Sequence, residues 1–277
     1  MKTQIKLFIY CIFIGYCSNA AAQTTKPWKL VWSDEFNYTG PPDSTKWGYE
    51  RATHRSHEEQ VYTDRKKNVY VKNGFLTITG YKEEYPNVRY MPNNTDWDRS
   101  DPFMHYTSAS LTTRYTASWK YGKIEVRAKV PSGAGTWPAI WMLGVDKANL
   151  GWPRQGEIDI MEAQGRIPKF TTGTLHFADK ITSAPIKTGN NLLPLDRPLS
   201  ADFHIYSAIW DSTKVTLLFD NKEFFTYKFK DKDIVFNQQP FYLIINLALG
   251  GAGGGPIDDT IFPAKYVIDY VRIYQNQ

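Results

Sequence analysis

Of the 277 residues only two are cysteine, Cys11 and Cys17, and both fall near the amino terminus. A domain built from the rest of the chain therefore has no disulfide framework and no thiol nucleophile, whatever redox compartment it occupies. Charge of one sign is also scarce: 33 Lys and Arg stand against 28 Asp and Glu, a formal net charge of +5. So slight an excess argues against nucleic acid or an anionic membrane as a partner. No apolar run reaches the ~20 residues that a spanning helix needs, and convincing helical periodicity is hard to find. Nor does any His, Cys and carboxylate set show a sequence spacing typical of zinc, so no metal or other cofactor is expected in catalysis.

The amino terminus does carry the parts of a secretory signal. Lys2 and Lys6 are basic, Leu7 to Tyr16 are largely apolar, and Ala20-Ala21-Ala22 offers a small-residue cleavage site. Residues 1–22 are read as a signal peptide and residues 23–277 as one exported catalytic domain, secreted or periplasmic and monomeric. A lipid anchor on Cys17 is the alternative, disfavoured by the bulky Tyr16 before it.

The domain reads as short strands and turns. Asn68 to Val71 and Phe75 to Thr79 flank Asn73-Gly74, a strong hairpin signal. Lys123 to Val130, Val215 to Phe219, Phe224 to Phe229, Phe241 to Leu249 and Tyr266 to Tyr274 add further strand-like runs. This pattern predicts an all-β sandwich or jelly roll. Glu83 to Tyr106 and Lys180 to Ala201, rich in Pro, Asn and Gly, read as long loops and as candidate rims of a cleft.

One stretch concentrates the chemistry: Gly156-Glu157-Ile158-Asp159-Ile160-Met161-Glu162-Ala163-Gln164. On a strand, Glu157 and Asp159 share a face, whereas Glu162 falls on the opposite, apolar side. A carboxylate there is costly unless paired. A β-bulge at Ile160 or Met161 returns Glu162 to the face of the other two acids. Three adjacent carboxylates raise one another's pKa values. Hydrolysis of a glycosidic bond with retention needs such separation, one carboxylate as nucleophile and one protonated carboxyl as acid, about 5–5.5 Å apart. Glu157 and Glu162 suit those roles, with Asp159 between them to share a proton with the nucleophile and hold its orientation. An exposed acidic face or a Ca²⁺ site is the plainer reading of the triplet alone.

The flanks sharpen it. Gly135-Thr136-Trp137-Pro138-Ala139-Ile140-Trp141-Met142, Gly151-Trp152-Pro153 and Thr174-Leu175-His176 surround the triplet, and Trp32-Ser33-Asp34-Glu35-Phe36, Asn246-Leu247-Ala248-Leu249-Gly250-Gly251 and Asp269-Tyr270-Val271-Arg272 extend the pattern. Together they resemble glycoside hydrolase family 16, whose signature is E-x-D-x-x-E. The resemblance implies a concanavalin A-like jelly roll of two antiparallel sheets with a concave cleft, Glu157 as nucleophile, Asp159 as its helper and Glu162 as acid/base. It also implies Trp137, Trp141, Trp152, His176 and Asn246 as substrate-binding residues, with His176 near Glu162. Aromatics form 15% of the chain, and indole faces suit the apolar faces of sugar rings. Trp32, Trp47, Trp119 and Trp210 are assigned to core or rim.

The family often carries a structural Ca²⁺, and the matching positions are Glu35, Gly74 and Asp269. Two stretches depart from its glucan-cleaving members: Ser56-His57 stands where Asn-Asn is usual, and Ala252-Gly253-Gly254-Gly255-Pro256 replaces an Asn-Trp-Pro-Gly loop, a flexible run that would reshape one sugar subsite. The implied substrate is a β-glucan, β-1,3-linked (laminarin) or mixed β-1,3/1,4-linked. The alternatives are an agarase, porphyranase or carrageenase, for which Arg51, His54, Arg55 and His57 would favour a sulfated chain, and a non-catalytic carbohydrate-binding jelly roll.

Overall fold

A computed structural model describes residues 27–276, apart from 52–54, 147–148, 180–181, 192–193 and 231–234. The expected signal segment 1–22, with Cys17, and His54 lie outside the described residues. The strands in chain order are β1 (Trp28–Asp34), β2 (Gly48–Tyr49), β3 (Gln60–Tyr62), β4 (Val69–Lys72), β5 (Phe75–Pro86), β6 (Phe103–Ser108), β7 (Ser110–Thr112), β8 (Gly122–Lys129) and β9 (Thr136–Gly144). They continue with β10 (Glu157–Ala163), β11 (Thr171–Ala178), β12 (Pro185–Asn191), β13 (His204–Trp210), β14 (Lys214–Phe219), β15 (Lys222–Lys228), β16 (Phe241–Leu249) and β17 (Ala264–Asn276). A four-residue helix, α1 (Gly251–Gly254), follows β16.

Two sheets result, and together they form the expected all-β jelly-roll sandwich. One runs β12-β11-β10-β9-β16-β7-β2; the other runs β15-β14-β13-β8-β17-β5-β6-β3, with β1 on β17 and β4 on β5. All pairings are antiparallel except β3 with β6. Asn73-Gly74 does turn β4 into β5: Lys72 pairs with Phe75, and both turn residues have positive φ, 55° and 79°. That left-handed pair matches the twist of the strands it joins.

Residue parity fixes what each strand buries. In the seven-stranded sheet, Ile140 and Met142 of β9, Ile158 of β10, Leu175 of β11 and Leu243, Ile245 and Leu247 of β16 enter the core between the sheets. Their neighbours Ala139, Trp141, Leu143, Tyr242 and Ile244 form a separate cluster on the other face. Each buried Leu or Ile contributes roughly 1.5–3 kcal/mol. A one-residue slip would turn a whole strand's set outward, so the register is firmly held.

Two expected loops are shorter than the sequence suggested. β5 extends to Pro86 and β6 begins at Phe103, leaving 87–102 between them. The 180–201 stretch contains β12, which pairs with β11 from Thr172↔Asn191 to Ala178↔Pro185. Its Pro, Gly and Asn content disguised an edge strand, where missing ladder partners make such residues tolerable. Trp47 and Trp210 are fully buried, and Trp32 packs edge-on against Trp47 and Trp119 at 5.5 and 5.4 Å.

Candidate active site

The outer face of the seven-stranded sheet forms a cleft of about 1110 Å³. β10 crosses its middle. Against β9, Asp159 pairs with Trp141 and Met161 with Ile140, so one residue of β10 is extra, as the triplet's parity required. Ile160 and Met161 consecutively enter the core, and Glu162 returns to the cleft beside Glu157 and Asp159.

Each glutamate receives an indole N–H. Trp152 Nε1 donates to Glu157 Oε2 at 2.9 Å, and Trp137 Nε1 donates to Glu162 Oε1 at 3.1 Å. These donors favour the ionised forms, but burial dominates. It pushes Glu157 up to about 8, helped by the Asp159 charge, and it also raises Glu162. Asp159, 3% exposed, is also pushed well up, by burial and by the charge of Glu162. Its Oδ2 makes no hydrogen bond among the described residues. Three charges cannot coexist here, and Asp159, deepest and set between two acids, is where a proton is least costly. Glu157 and Asp159 thus share one proton, and Glu157 is the charged partner when that proton rests on Asp159, with a protonated Glu162 on the other side.

His176 stands elsewhere than expected. Cross-strand pairing sets it opposite Glu157, with Nε2 3.4 Å from Asp159 Oδ2 and 3.8 Å from Glu157 Oε1, so it stands at the nucleophile's end of the row while its charge still reaches Glu162. Burial lowers its pKa, against the opposing pull of the Glu157 and Glu162 charges. The reason for the difference is register: β11 meets β10 before the bulge at His176 and beyond it at Thr172.

The tryptophans also differ among themselves. Trp152 is 59% exposed and tilts over His176 at 5.7 Å, an open stacking surface. Trp137 is partly exposed. Trp141 is not a free platform: the Arg55 guanidinium lies 4.8 Å over its ring, and its Nε1 donates to Asn246 Oδ1 at 2.8 Å. Asn246 in turn donates to the Tyr62 hydroxyl, so this cleft-lining residue positions Trp141 within a buried network.

The two departures from the family pattern meet at one wall. Ala252 N donates to Ser56 O at 2.8 Å, and Ser56, Ala252 and Gly253 all line the cleft. The glycine run is an ordered turn rather than a flexible one, closed by Gly254 N to Gly250 O and Gly255 N to Gly251 O. A Cβ on Gly253 would lie 2.2 Å from the Trp137 ring, so only glycine lets this turn rest against the indole.

Sequence reasoning missed Lys187 and Glu58. Lys187, on β12, lines the cleft and exerts its charge on Asp159 and Glu162. Its strand had read as loop. Glu58 is buried in the cleft wall, where burial raises its pKa. The basic cluster is largely neutralised internally: Arg55 is paired with Glu50 and Arg51 with Asp64, while His57 packs on Trp97. At the implied Ca²⁺ positions the carboxylates already have partners. Both Glu35 oxygens are held by Arg272, Asp269 is paired with Arg127, and Gly74 sits in the β4–β5 turn. A cation there would have to displace Arg272 and Arg127 or be held by backbone oxygens.

Residues 56–272 match the family model for glycosyl hydrolases family 16. A β-glucanase of Rhodothermus marinus is 38% identical over 97% of this chain and 93% of its own. The crystal structure of a laminarinase from the same organism superposes with a TM-score of 0.76 at 36% identity, covering 91% of this chain and 99% of that one. A structure from work on endo-acting O-glycanases, with which members of the human gut microbiota initiate mucin breakdown, reaches 0.82 at 37% identity, covering 90% and 91%. With its bulged acidic strand lying in a sheet of this architecture, the chain belongs to glycosyl hydrolases family 16.

Proposed function

We propose that this glycoside hydrolase is a retaining endo-β-glucanase acting on β-1,3- or mixed β-1,3/1,4-glucan. The observation that carries the mechanism is the row of acids with an indole donor at each catalytic glutamate. Glu157 attacks the anomeric carbon while Glu162 protonates the departing oxygen, giving a glycosyl-enzyme. Glu162 then takes a proton from water, which releases the sugar with its configuration retained. Asp159 holds a proton beside Glu157 and restrains that carboxylate as its charge changes. Trp152 offers a stacking face for the sugar, and the α1 wall with Ser56 shapes the opposite side.

The named relatives support the glucan reading. A second reading, a galactose-containing chain, is favoured by the likeness to a keratan-sulfate endo-1,4-β-galactosidase of Sphingobacterium multivorum, 30% identical over 93% of this chain, and by the reshaped wall at Ala252–Gly253. A sulfated chain has less support, because Arg51 and Arg55 are already matched by carboxylates. We also propose export through residues 1–22 and action as a monomer.

Laminarin, barley mixed-linkage glucan, agarose, carrageenan and mucin O-glycans, digested in parallel with NMR of the first products, test this. Early β-anomeric oligosaccharides from a glucan are expected. Release only from a galactose-containing substrate moves the enzyme to the second reading. Glu157→Gln and Glu162→Gln are each expected to lower kcat on natural substrate by ~10²-fold or more, and full turnover in either removes the assigned roles.

A further inference from the structure

The catalytic row contains a feature that glycoside hydrolysis does not require. Glu157, Asp159 and His176 place one ligand atom each within 4.8 Å of the others. Their sequence spacing hid this, because His176 arrives from the neighbouring strand, directly opposite Glu157. The His176 Nε2 to Asp159 Oδ2 separation of 3.4 Å is long for a hydrogen bond. It matches the ligand-to-ligand edge of a tetrahedral site, about 3.3–3.4 Å for bonds of about 2.0–2.1 Å. Nε2 to Glu157 Oε1, at 3.8 Å, opens the third corner slightly. Asp159 Oδ2 is moreover buried in the cleft wall and without a hydrogen bond among the described residues, although its carboxyl is bonded to Glu157. All three residues line the cleft, and the Trp152 ring lies 5.7 Å from that of His176.

We propose that Glu157, Asp159 and His176 form a site for a divalent transition-metal ion of the Zn²⁺ type, whose occupancy takes the nucleophile out of the reaction. One imidazole with two carboxylates suits Zn²⁺ or Cu²⁺; Ca²⁺ and Mg²⁺ prefer all-oxygen shells. Lys187, exposed on β12, is the cation that opposes the metal; it exerts its charge on Asp159, Glu162 and His176. The ion thus competes with substrate at the carboxylate that must attack it.

The inhibition arm rests on the hydrolase reading, whereas the binding arms do not. The untagged chain, stripped with EDTA, is titrated with ZnCl₂ by calorimetry and by thermal shift. One ion per chain and a raised Tm are expected, with neither on adding CaCl₂ or MgCl₂. His176→Ala and Asp159→Asn, each checked for folding by circular dichroism, are expected to bind Zn²⁺ at least ~10-fold more weakly. Inhibition by Zn²⁺ is expected to be competitive with oligosaccharide and reversed by EDTA. No binding at millimolar Zn²⁺ would overturn the proposal. So would binding that both variants retain, which would place the ion at a surface pair such as His105 and Asp101. Should the chain hydrolyse none of the tested polymers, stoichiometry and variants still decide the site while the hydrolase reading fails separately.

Discussion

The indole donors on Glu157 and Glu162 act on opposite limbs of a pH–activity profile. Trp152 favours the charged form of Glu157, which must be ionised to attack, so Trp152→Phe raises that pKa and moves the acidic limb up. Trp137 favours the charged form of Glu162, which must be protonated to donate, so Trp137→Phe moves the alkaline limb up. Displacements of about 1 pH unit or less are expected in kcat/KM profiles; movement of the wrong limb would reverse the assignments. Stability follows from the same burial. The folded pKa of Glu157, about 8, lies above its ordinary 4.5. Between those values the folded Glu157–Asp159 pair keeps a proton that the unfolded chain gives up, so stability present below pH 4.5 is lost as pH rises towards 8. Glu157→Gln cannot ionise and escapes that loss. Thermal melts are expected to coincide with the parent near pH 4.5 and to exceed it near pH 8 by about 2–4 °C for each kcal/mol regained.

At the level of elements, the bulge in β10 decides which side of the sheet each acid meets. Deleting Ile160 would leave Glu-Ile-Asp-Met-Glu, whose strict alternation still sends all three acids to the cleft. The deletion variant is expected to fold with a stability loss of ~1–3 kcal/mol for the missing core side chain and to keep measurable turnover. Inserting Ala after Met161 instead sends Glu162 into the core and is expected to abolish turnover; kcat and Tm of the pair check both. The bulge was legible in sequence because a carboxylate on the apolar side of a strand demands a remedy. The β4–β5 hairpin was legible because Asn-Gly prescribes its turn. β12 was not, since an edge strand need not show alternation, and with it Lys187 went unseen. The site of His176 was hidden too. Its neighbours Glu157 and Asp159 are set by the register of β11 on β10, and no local pattern in Thr172 to Phe177 encodes that register. Arg55 read as a free basic group because its partner Glu50 meets it through folding alone.

For the molecule as a whole, stability rests on apolar packing between two sheets and on no covalent staple. All described residues lack cysteine, so excess dithiothreitol is expected to leave the Tm unchanged; a reductant-sensitive melt would contradict this. The chemistry lies wholly on one sheet, while the ends of the described chain lie in the other. There β1 and β17 run side by side, with Trp28 opposite Asn276. The two ends of the fold are therefore a single strand spacing apart, on the sheet behind the cleft sheet. A tether attached at either end would leave from the back of the molecule, with the cleft free to take the middle of a long polymer. The same closeness suits circular permutation, in which a short linker joins 276 to 28 and new ends open in a surface turn such as Asn73-Gly74.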